Sequence, residues 1–484
     1  MRLLIRPAPE VTIKSKPVRQ RQMRILRQNI RKILKQLAPG ILVDGSFDRV
    51  DVSLEDSPGL AESVLDALKR IPGIASIQEI GEFPVMDIDD MAAKALAAYQ
   101  DRLAGKSFAV RVKRLGDHDF RSDQVARHVG RVLLEQTSAR KVELKQPEVA
   151  VRIEIRQNRY HIAYHRHPGL GGFPLGSVES VMCLMSGGYD SSVASYLMMR
   201  RGMRSHFLFF NLGGAAHEVG VRQVAHHLWQ RYGASHSVKF ISVPFEGVVA
   251  EILHTVDSRH WGVVLKRQML EAASQIAPQM NATGLVTGDA VAQVSSQTMT
   301  NLNVVDQASD QVVLRPLIAM DKGEIIRLAT EIGTEPFART MPEYCGVISR
   351  RPVTRARLDR VQAQEQKMDS AVLARAIANL TALPIDQLMS TTVTPEEVEL
   401  VRTPATEDVI IDLRHPNEQE GAPLELTNNR VMPIPFYELN QAFVSLPADQ
   451  QYLLYCDQGT MSQLHAGHLR AEGHRNIKVY APAH

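Results

Sequence analysis

Residues 178–201 read VESVMCLMSGGYDSSVASYLMMRR, and the order of patterns in this stretch decides the fold. The near-continuous apolar run 178–185 suits a strand buried on both faces, and 191–201 carries apolar residues at helical spacing. Between them stand Ser186, Gly187, Gly188, Tyr189, Asp190 and Ser191. Two adjacent glycines let a backbone approach an anion closely, while successive N–H groups and a helix N-terminus supply partial positive charge. The serines add hydroxyl donors, so the turn suits a polyphosphate. No GxxxxGK[ST] string occurs in the chain, which separates this turn from loops that hold a transferring γ-phosphoryl group. Downstream, strand 205–211, helix 218–232 and strand 237–243 keep the alternation going. Alternation of this kind implies right-handed crossovers and a parallel sheet.

Further along, Thr287, Gly288 and Asp289 follow a strand at 283–286, at the carboxyl edge where open α/β sheets bind ligands. Gln293, Ser296, Gln297 and Thr298 come next; Arg315, Pro316 and Leu317, then Asp321, Lys322 and Glu324, form a second loop ahead of a helix. Lys322 could neutralise phosphate charge developing in a transition state. Taken alone, each of these segments reads as a surface turn or helix cap rather than as a ligand. Residues 391–404 form a polar, acidic linker, and strands at 409–413, 452–456 and 477–480 mark a second, smaller α/β domain.

The chain has three cysteines, Cys183, Cys345 and Cys456, too few and too scattered for a disulfide framework or a CxxC metal site. Cys183 lies inside the apolar strand and reads as core. Cys456 ends a strand and opens the loop Asp457, Gln458, Gly459, Thr460, Met461, Ser462 ahead of a helix. Backbone N–H groups and a helix dipole at that position stabilise an anionic sulfur, thiolate or persulfide. Cys345 sits in the turn-rich string Pro342, Glu343, Tyr344, Cys345, Gly346, where an exposed thiol could resolve a persulfide as a disulfide with Cys456.

Toward the N-terminus, Gly169, Gly171, Gly172, Pro174 and Gly176 punctuate the chain and mark a domain boundary. Before them, 3–5, 11–13 and 49–54 read as strands, and 18–37 and 60–71 as helices. A second unit has strands at 108–112, 149–155 and 159–165 and a helix at 122–135. The 484 residues are 44% hydrophobic and 23% charged, an ordinary globular composition for a chain of several domains. The net charge is only +3, yet Lys14, Lys16, Arg19, Arg21, Arg24, Arg27, Arg31, Lys32 and Lys35 follow one another without an acidic residue. Such a run attracts polyanions or simply solvates a helix face. No apolar run is long enough to span a membrane, Arg2, Arg6 and Pro7 occupy the place of a signal core, and cytoplasmic residence is expected.

The string SGGYDS resembles the SGGxDS loop of the ATP pyrophosphatase (PP-loop) enzymes, and CxxGxxS with Asp412, Leu413 and Arg414 resembles a rhodanese. Met461 replaces the arginine that rhodaneses often carry before the serine, which favours a protein-borne persulfide over thiosulfate. SGGYDSS, NLGGAAHEVGVRQVAHHLW, TGDAVAQVSSQT, RTMPEYCGVIS and CDQGTMS, in this order, together resemble the tRNA 4-thiouridine synthetase family, ThiI, in its long form. The resemblance implies a multidomain α/β and α+β chain: a ferredoxin-like domain at 1–60, a THUMP domain at 61–165, a PP-loop domain at 176–392 and a rhodanese domain at 404–484. The THUMP hallmark is matched by Val110, Arg111, Val112, Lys113, Arg114, His118, Asp119 and Phe120, so the first two domains are expected to grip tRNA.

Carried onto this sequence, the resemblance places ATP on Leu184, Met185, Lys266, Gly288 and Gln297, beside Ser186, Gly187, Gly188, Asp190 and Ser191 of the loop. It has Asp190 help hold Mg2+ or the triphosphate, Asp190 and Lys322 assist adenylation, and Cys456 and Cys345 handle sulfur. Tyr189 stands for a frequent phenylalanine and is expected to pack beneath the loop. The implied reaction adenylates O4 of the uridine at position 8 of tRNA, then replaces AMP with persulfide sulfur supplied by an IscS-like cysteine desulfurase. The family also supplies a small ThiS-like sulfur-carrier protein for the thiamine thiazole, and homodimerisation is expected at family level. Two rivals remain open: a PP-loop ligase or amidotransferase using ammonia, against which Cys456 weighs, and a non-catalytic RNA-binding protein, against which the intact loop with Asp190 and Lys322 weighs.

Overall fold

The computed structural model describes every residue except 56, 58, 213, 340, 342–351, 390–396, 415–418, 420–421, 437, 458 and 483–484. In chain order the strands are β1 Arg2–Pro7, β2 Leu42–Gly45, β3 Val50–Ser53, β4 Ile74–Pro84, β5 Ser107–Leu115, β6 Lys141–Val142, β7 Val149–Arg156 and β8 Arg159–Gly171. They continue as β9 Ser180–Met185, β10 Ser205–Asn211, β11 Lys239–Pro244, β12 Ala282–Val286, β13 Val312–Leu314 and β14 Thr381–Pro384. The last five are β15 Leu400–Val401, β16 Val409–Asp412, β17 Arg430–Pro433, β18 Tyr452–Tyr455 and β19 Ile477–Tyr480. The backbone divides into two compact units, Met1–Ser177 with Arg200–Gly202, and Val178–Met199 with Met203–His484.

In the first unit one eight-stranded sheet runs β2-β3-β1-β4-β8-β7-β5-β6. The helix Lys16–Leu37 buries Met23, Leu26, Ile30 and Leu34 at spacings of three and four, and with Leu60–Lys69 it closes one apolar core over β1 and β3. Part of its basic run is structural: Arg27 donates to the Gly45 carbonyl at 2.6 Å and Arg31 to that of Val43 at 2.8 Å. Helices Ile88–Tyr99 and Ser122–Gln136 close a second core over β5, β7 and β8. The strand expected at 11–13 is instead the end of a helical turn, Pro9–Thr12, because Pro9 presets the first helical φ. Nor does the glycine punctuation begin at Gly169, since β8 runs on through Gly171. A Cβ at Gly169 would stand 2.3 Å from the Ile74 carbonyl oxygen, so only glycine lets β8 lie against β4 there.

The second unit holds two sheets. The larger, β13-β12-β9-β10-β11-β14, is parallel except for β14, which pairs antiparallel with β11 at its edge. The chain leaves β9 toward β10 on one side, and β12 flanks β9 on the other. The carboxyl end of β9 is therefore the topological switch point where such sheets open a crevice. The smaller sheet, β15-β19-β18-β16-β17, is parallel throughout. Its edge strand Leu400–Val401 lies within the stretch read as linker, while residues 391–396 fall outside the described residues. One apolar cluster includes Leu208, Ile241 and Leu285 of the larger sheet and Ile411 and Leu454 of the smaller. Among the described residues no helix is long and apolar enough to cross a membrane.

Candidate active site

The strand β9 ends at Met185 and the helix Tyr189–Arg200 begins four residues later, so the turn sits at the switch point. Gly187 has φ +82°, and a Cβ there would stand 2.6 Å from Cε of Met341. A methionine tip can swing aside, so it is the positive φ that calls for glycine. The hydroxyls of Ser186 and Ser191 are 3.2 Å apart, and Ser191 Oγ also donates to the Gly188 carbonyl at 3.3 Å, folding the turn onto itself. Gly288, just past β12, lies against this turn: a Cβ on it would be 2.7 Å from the carbonyl carbon of Asp190 and 2.8 Å from the Ser191 nitrogen. Met185 is buried, its sulfur accepting from Ser195 Oγ at 3.2 Å, and Leu184 packs half-buried against the core.

Asp190 and Lys322 meet. Lys322 Nζ donates to Asp190 Oδ1 at 2.8 Å, and Gln293 Nε2 donates to Oδ2 at 2.8 Å. Lys322 opens the helix Lys322–Ile332, whose N-cap Asp321 forms a capping box with Glu324. Tyr189 is half-buried, with the Lys322 ammonium 5.4 Å from the centre of its ring. At that distance the ring face attracts the cation.

Lys266 and Gln297 converge on one carboxylate, that of Asp289. Lys266 Nζ donates to Oδ1 at 2.7 Å and Gln297 Nε2 to Oδ1 at 3.0 Å, while Thr287 Oγ1 and Arg315 Nε donate to Oδ2 at 2.7 and 3.2 Å. Burial alone would raise this carboxyl, but the Lys266 charge and hydrogen bond, the Thr287 hydroxyl and the Arg315 charge hold it well below the usual carboxylate range. Gln297 Oε1 is buried and accepts no hydrogen bond among the described residues. One more contact escaped the sequence: His217 on the helix Gly214–Leu228 lies 3.4 Å from the Ser186 carbonyl oxygen and edge-on to Phe209. Burial pushes its imidazole down to about 3.

The cysteine loop of the smaller sheet is built differently. Cys456 follows β18, and its Sγ accepts from the Ser462 N–H at 3.3 Å and donates to Ser462 Oγ at 3.4 Å. Gly459, with φ +71°, turns the chain into the helix Thr460–Ala471 that carries Ser462. At the end of β16, Arg414 grips Asp412 through Nε at 3.0 Å and Nη2 at 2.7 Å and reaches Asp457 at 3.2 Å. These charge-assisted bonds tie down the residue after the cysteine. The helix Thr460–Ala471 packs against Gly214–Leu228, so the sulfur loop and the Ser186 turn are braced by touching helices. Cys183 is wholly buried, its thiol pushed up to about 11 by burial. Cys345 lies outside the described residues, so its proposed meeting with Cys456 has no geometry here.

In the first unit, β5 carries Val110, Arg111, Val112, Lys113 and Arg114, and the His118 and Phe120 rings lie 5.3 Å apart. Arg6, Arg19, Arg111, Lys113 and Arg152 line an open cleft of about 580 Å³, whose acidic members Asp48 and Glu154 are already bonded to arginines.

A PP-loop-type α/β domain with a rhodanese-like domain attached, behind ferredoxin-like and THUMP domains, is the class that fold and site define. The profile described as "Thiamine biosynthesis protein (ThiI)" matches residues 176–370, "ThiI ferredoxin-like domain" 2–78, "THUMP domain" 85–164 and "Rhodanese-like domain" 396–482. The chain is 70% identical over 483 residues to the tRNA sulfurtransferase of Marinobacter nauticus, and 50% identical over 484 residues to that of Azotobacter vinelandii, each match covering 100% of both chains. It belongs to the ThiI family. The crystal structure of a 4-thiouridine synthetase–RNA complex with bound ATP shares its fold at a TM-score of 0.69 and 23% identity, covering 79% of this chain and 99% of the other. A Pyrococcus horikoshii protein, PH1313, does so at 0.53 and 19% identity, covering 69% and 100%.

Proposed function

We propose that this protein is an ATP-dependent tRNA sulfurtransferase that converts a uridine, at position 8, to 4-thiouridine. One observation carries the reading: a glycine-lined turn with the Lys322–Asp190 pair and a hydroxyl-held Cys456 occur in a single compact unit. The names of the full-length relatives and the family membership support it.

The turn residues Ser186, Gly187, Gly188 and Ser191 would hold the pyrophosphate portion of ATP, with Lys266, Gly288, Gln297 and the main chain at Leu184 and Met185 beside the rest of the nucleotide. The unpartnered Oε1 of Gln297 fits this use, being a buried acceptor for a ligand donor. Lys322 would stabilise charge on the phosphates as O4 of the uridine displaces pyrophosphate. Asp190, whose carboxylate takes Lys322 on Oδ1 and Gln293 on Oδ2, would serve through its remaining lone pairs as one carboxylate ligand of a Mg2+ ion, the kind of site in which substrate phosphates and water complete the shell. That ion, when bound, would supply charge neutralisation. Adenylation makes AMP the leaving group at C4. Cys456, charged as a persulfide by an IscS-like cysteine desulfurase, would attack C4 through its terminal sulfur and expel AMP; the Cys345 thiolate would then attack Cys456 Sγ, breaking the S–S bond to free the thiouridine and leaving a Cys345–Cys456 disulfide for an external dithiol reductant to reopen. Delivery to a ThiS-like carrier for the thiamine thiazole would use the same persulfide. The basic cleft of the first unit would hold tRNA through its phosphates.

The test replaces Cys456 with alanine and assays tRNA thiolation by mass spectrometry with the desulfurase present. Thiolation should vanish while tRNA-dependent pyrophosphate release persists. Unchanged thiolation rules out Cys456 as the carrier, and wild-type protein that releases no pyrophosphate on adding tRNA overturns the whole reading.

A further inference from the structure

The residues that the family resemblance assigns to ATP include Lys266 and Gln297, which lie 31 positions apart in sequence (297 − 266) on a helix and a short turn. Neither element forces them together. What joins them is Asp289, one residue beyond Gly288 in the loop after β12, whose carboxylate takes the donors of Lys266, Gln297, Thr287 and Arg315 at 2.7 to 3.2 Å. Asp289 is only 7% exposed, so its hydrogen bonds are not shared with solvent. A carboxylate's acceptor positions are all in use against four donors.

We infer that Asp289 is a positioning residue for the nucleotide: it fixes the Lys266 ammonium and the Gln297 amide in the orientation in which they meet ATP, without itself touching it. Three features support this. First, the carboxylate accepts only, so the Gln297 group facing it must be the amide NH2, and Oε1 is thereby turned away as a free acceptor. Second, Arg315 is anchored independently by Asp306 through Nη1 at 3.0 Å and Nη2 at 2.5 Å, so Asp289 is held by a partner that does not move with the ligand. Third, Thr287 closes the remaining freedom of the carboxylate from its own loop. The arrangement is a support for ligand groups, in the way that outer carboxylates orient metal-binding imidazoles.

The inference rests on the nucleotide reading above, and the experiment separates the two. Full-length protein carrying Asp289→Asn is compared with wild type for pyrophosphate release as ATP and tRNA are varied in turn, together with its melting temperature. An amide in this place presents a donor to Lys266 and Gln297, so KM for ATP should rise about tenfold or more, kcat should fall less, and KM for tRNA should stay put. The double variant Asp289→Asn with Lys266→Met should be little worse than either single one, because both remove the same placement. Should Asp289→Asn fail to fold, Thr287→Val carries the test: it keeps the charge and removes one of the two donors to Oδ2, leaving Arg315 alone there, and KM for ATP should rise about threefold. An unchanged KM for ATP in whichever of these variants folds, or strictly additive losses in the double variant, overturns the inference. Absence of tRNA-dependent pyrophosphate release from the wild type overturns the functional reading instead.

Discussion

Gly288 shows how little space separates the loop after β12 from the turn after β9. A Cβ on it would stand 2.7 Å from the Asp190 carbonyl carbon. Gly288→Ala must therefore displace main chain, which cannot swing aside as a side-chain tip can. The expected outcome is a loss of about tenfold or more in kcat/KM for ATP, roughly 1.4 kcal/mol of transition-state stabilisation. Steady-state pyrophosphate release measures it; activity at the wild-type level would show that the turn can shift freely. The residues from Ser186 to Ser191 were legible because their chemistry is written consecutively, strand to turn to helix. Asp289 was named in the sequence as part of a loop but not as a hub, since its partners stand at 266, 287, 297 and 315 and only the fold brings them together. The contact of His217 with the turn has the same origin: nothing local marks that imidazole as lying under a carbonyl 31 positions earlier.

The helix Lys322–Ile332 shows the same dependence one level up, because a lysine that serves the phosphates from its first position is only as well placed as the helix start. Asp321 accepts from the Glu324 N–H at 2.8 Å and Glu324 reaches back to the Asp321 N–H. Asp321→Ala should lower stability by about 1 kcal/mol, read as a lower denaturation midpoint in urea. It should also reduce kcat with little change in KM for tRNA, since Lys322 then loses its fixed origin; an unaltered kcat in a destabilised protein would show that Lys322 finds Asp190 without help. Helices with one apolar stripe were readable, as Lys16–Leu37 and Ser122–Gln136 were. Trp261–Ile276 gave no such signal: Trp261, Val263, Val264, Leu265, Leu270, Ala272, Ala273 and Ile276 are buried around most of its circumference. The strand β4 was also unread, because Gly81 and register shifts against β1 and β8 blur its alternation. At 11–13, Val11, Thr12 and Ile13 suit a strand, but Pro9 starts a helical turn that runs through Thr12.

Across the second unit, two buried imidazoles link stability to acidity. Burial pushes both His217 and His465 down from an ordinary 6.5 to about 3; the Ser186 carbonyl opposes the first shift, and the neighbouring His468 adds to the second. Above pH 6.5 folded and unfolded chains both carry these rings neutral, so the contribution is fully present. Between about 6.5 and about 3 the unfolded chain takes up protons that the folded chain refuses, so stability falls as pH drops through that window. Urea midpoints measured from neutral to mildly acidic pH should decline, and the decline should be shallower in His465→Gln. Equal slopes would show that the ring titrates freely in the folded protein.

The order of domains was legible because the last three carry their own motifs; the first followed only from the resemblance. The division of the backbone at Ser177 and Val178 follows the glycine-rich stretch, although β8 uses the first two of those glycines. The three sheets share one further property. Their outermost strands, β2, β6, β13, β14, β15 and β17, contain two to four residues each, and β14 and β17 end in Pro384 and Pro433. A rim so short offers a neighbouring chain almost no main-chain ladder to extend, and proline withholds even the last donor. Rims of this kind are poor templates for edge-to-edge growth of fibrils when copies of the protein are crowded together.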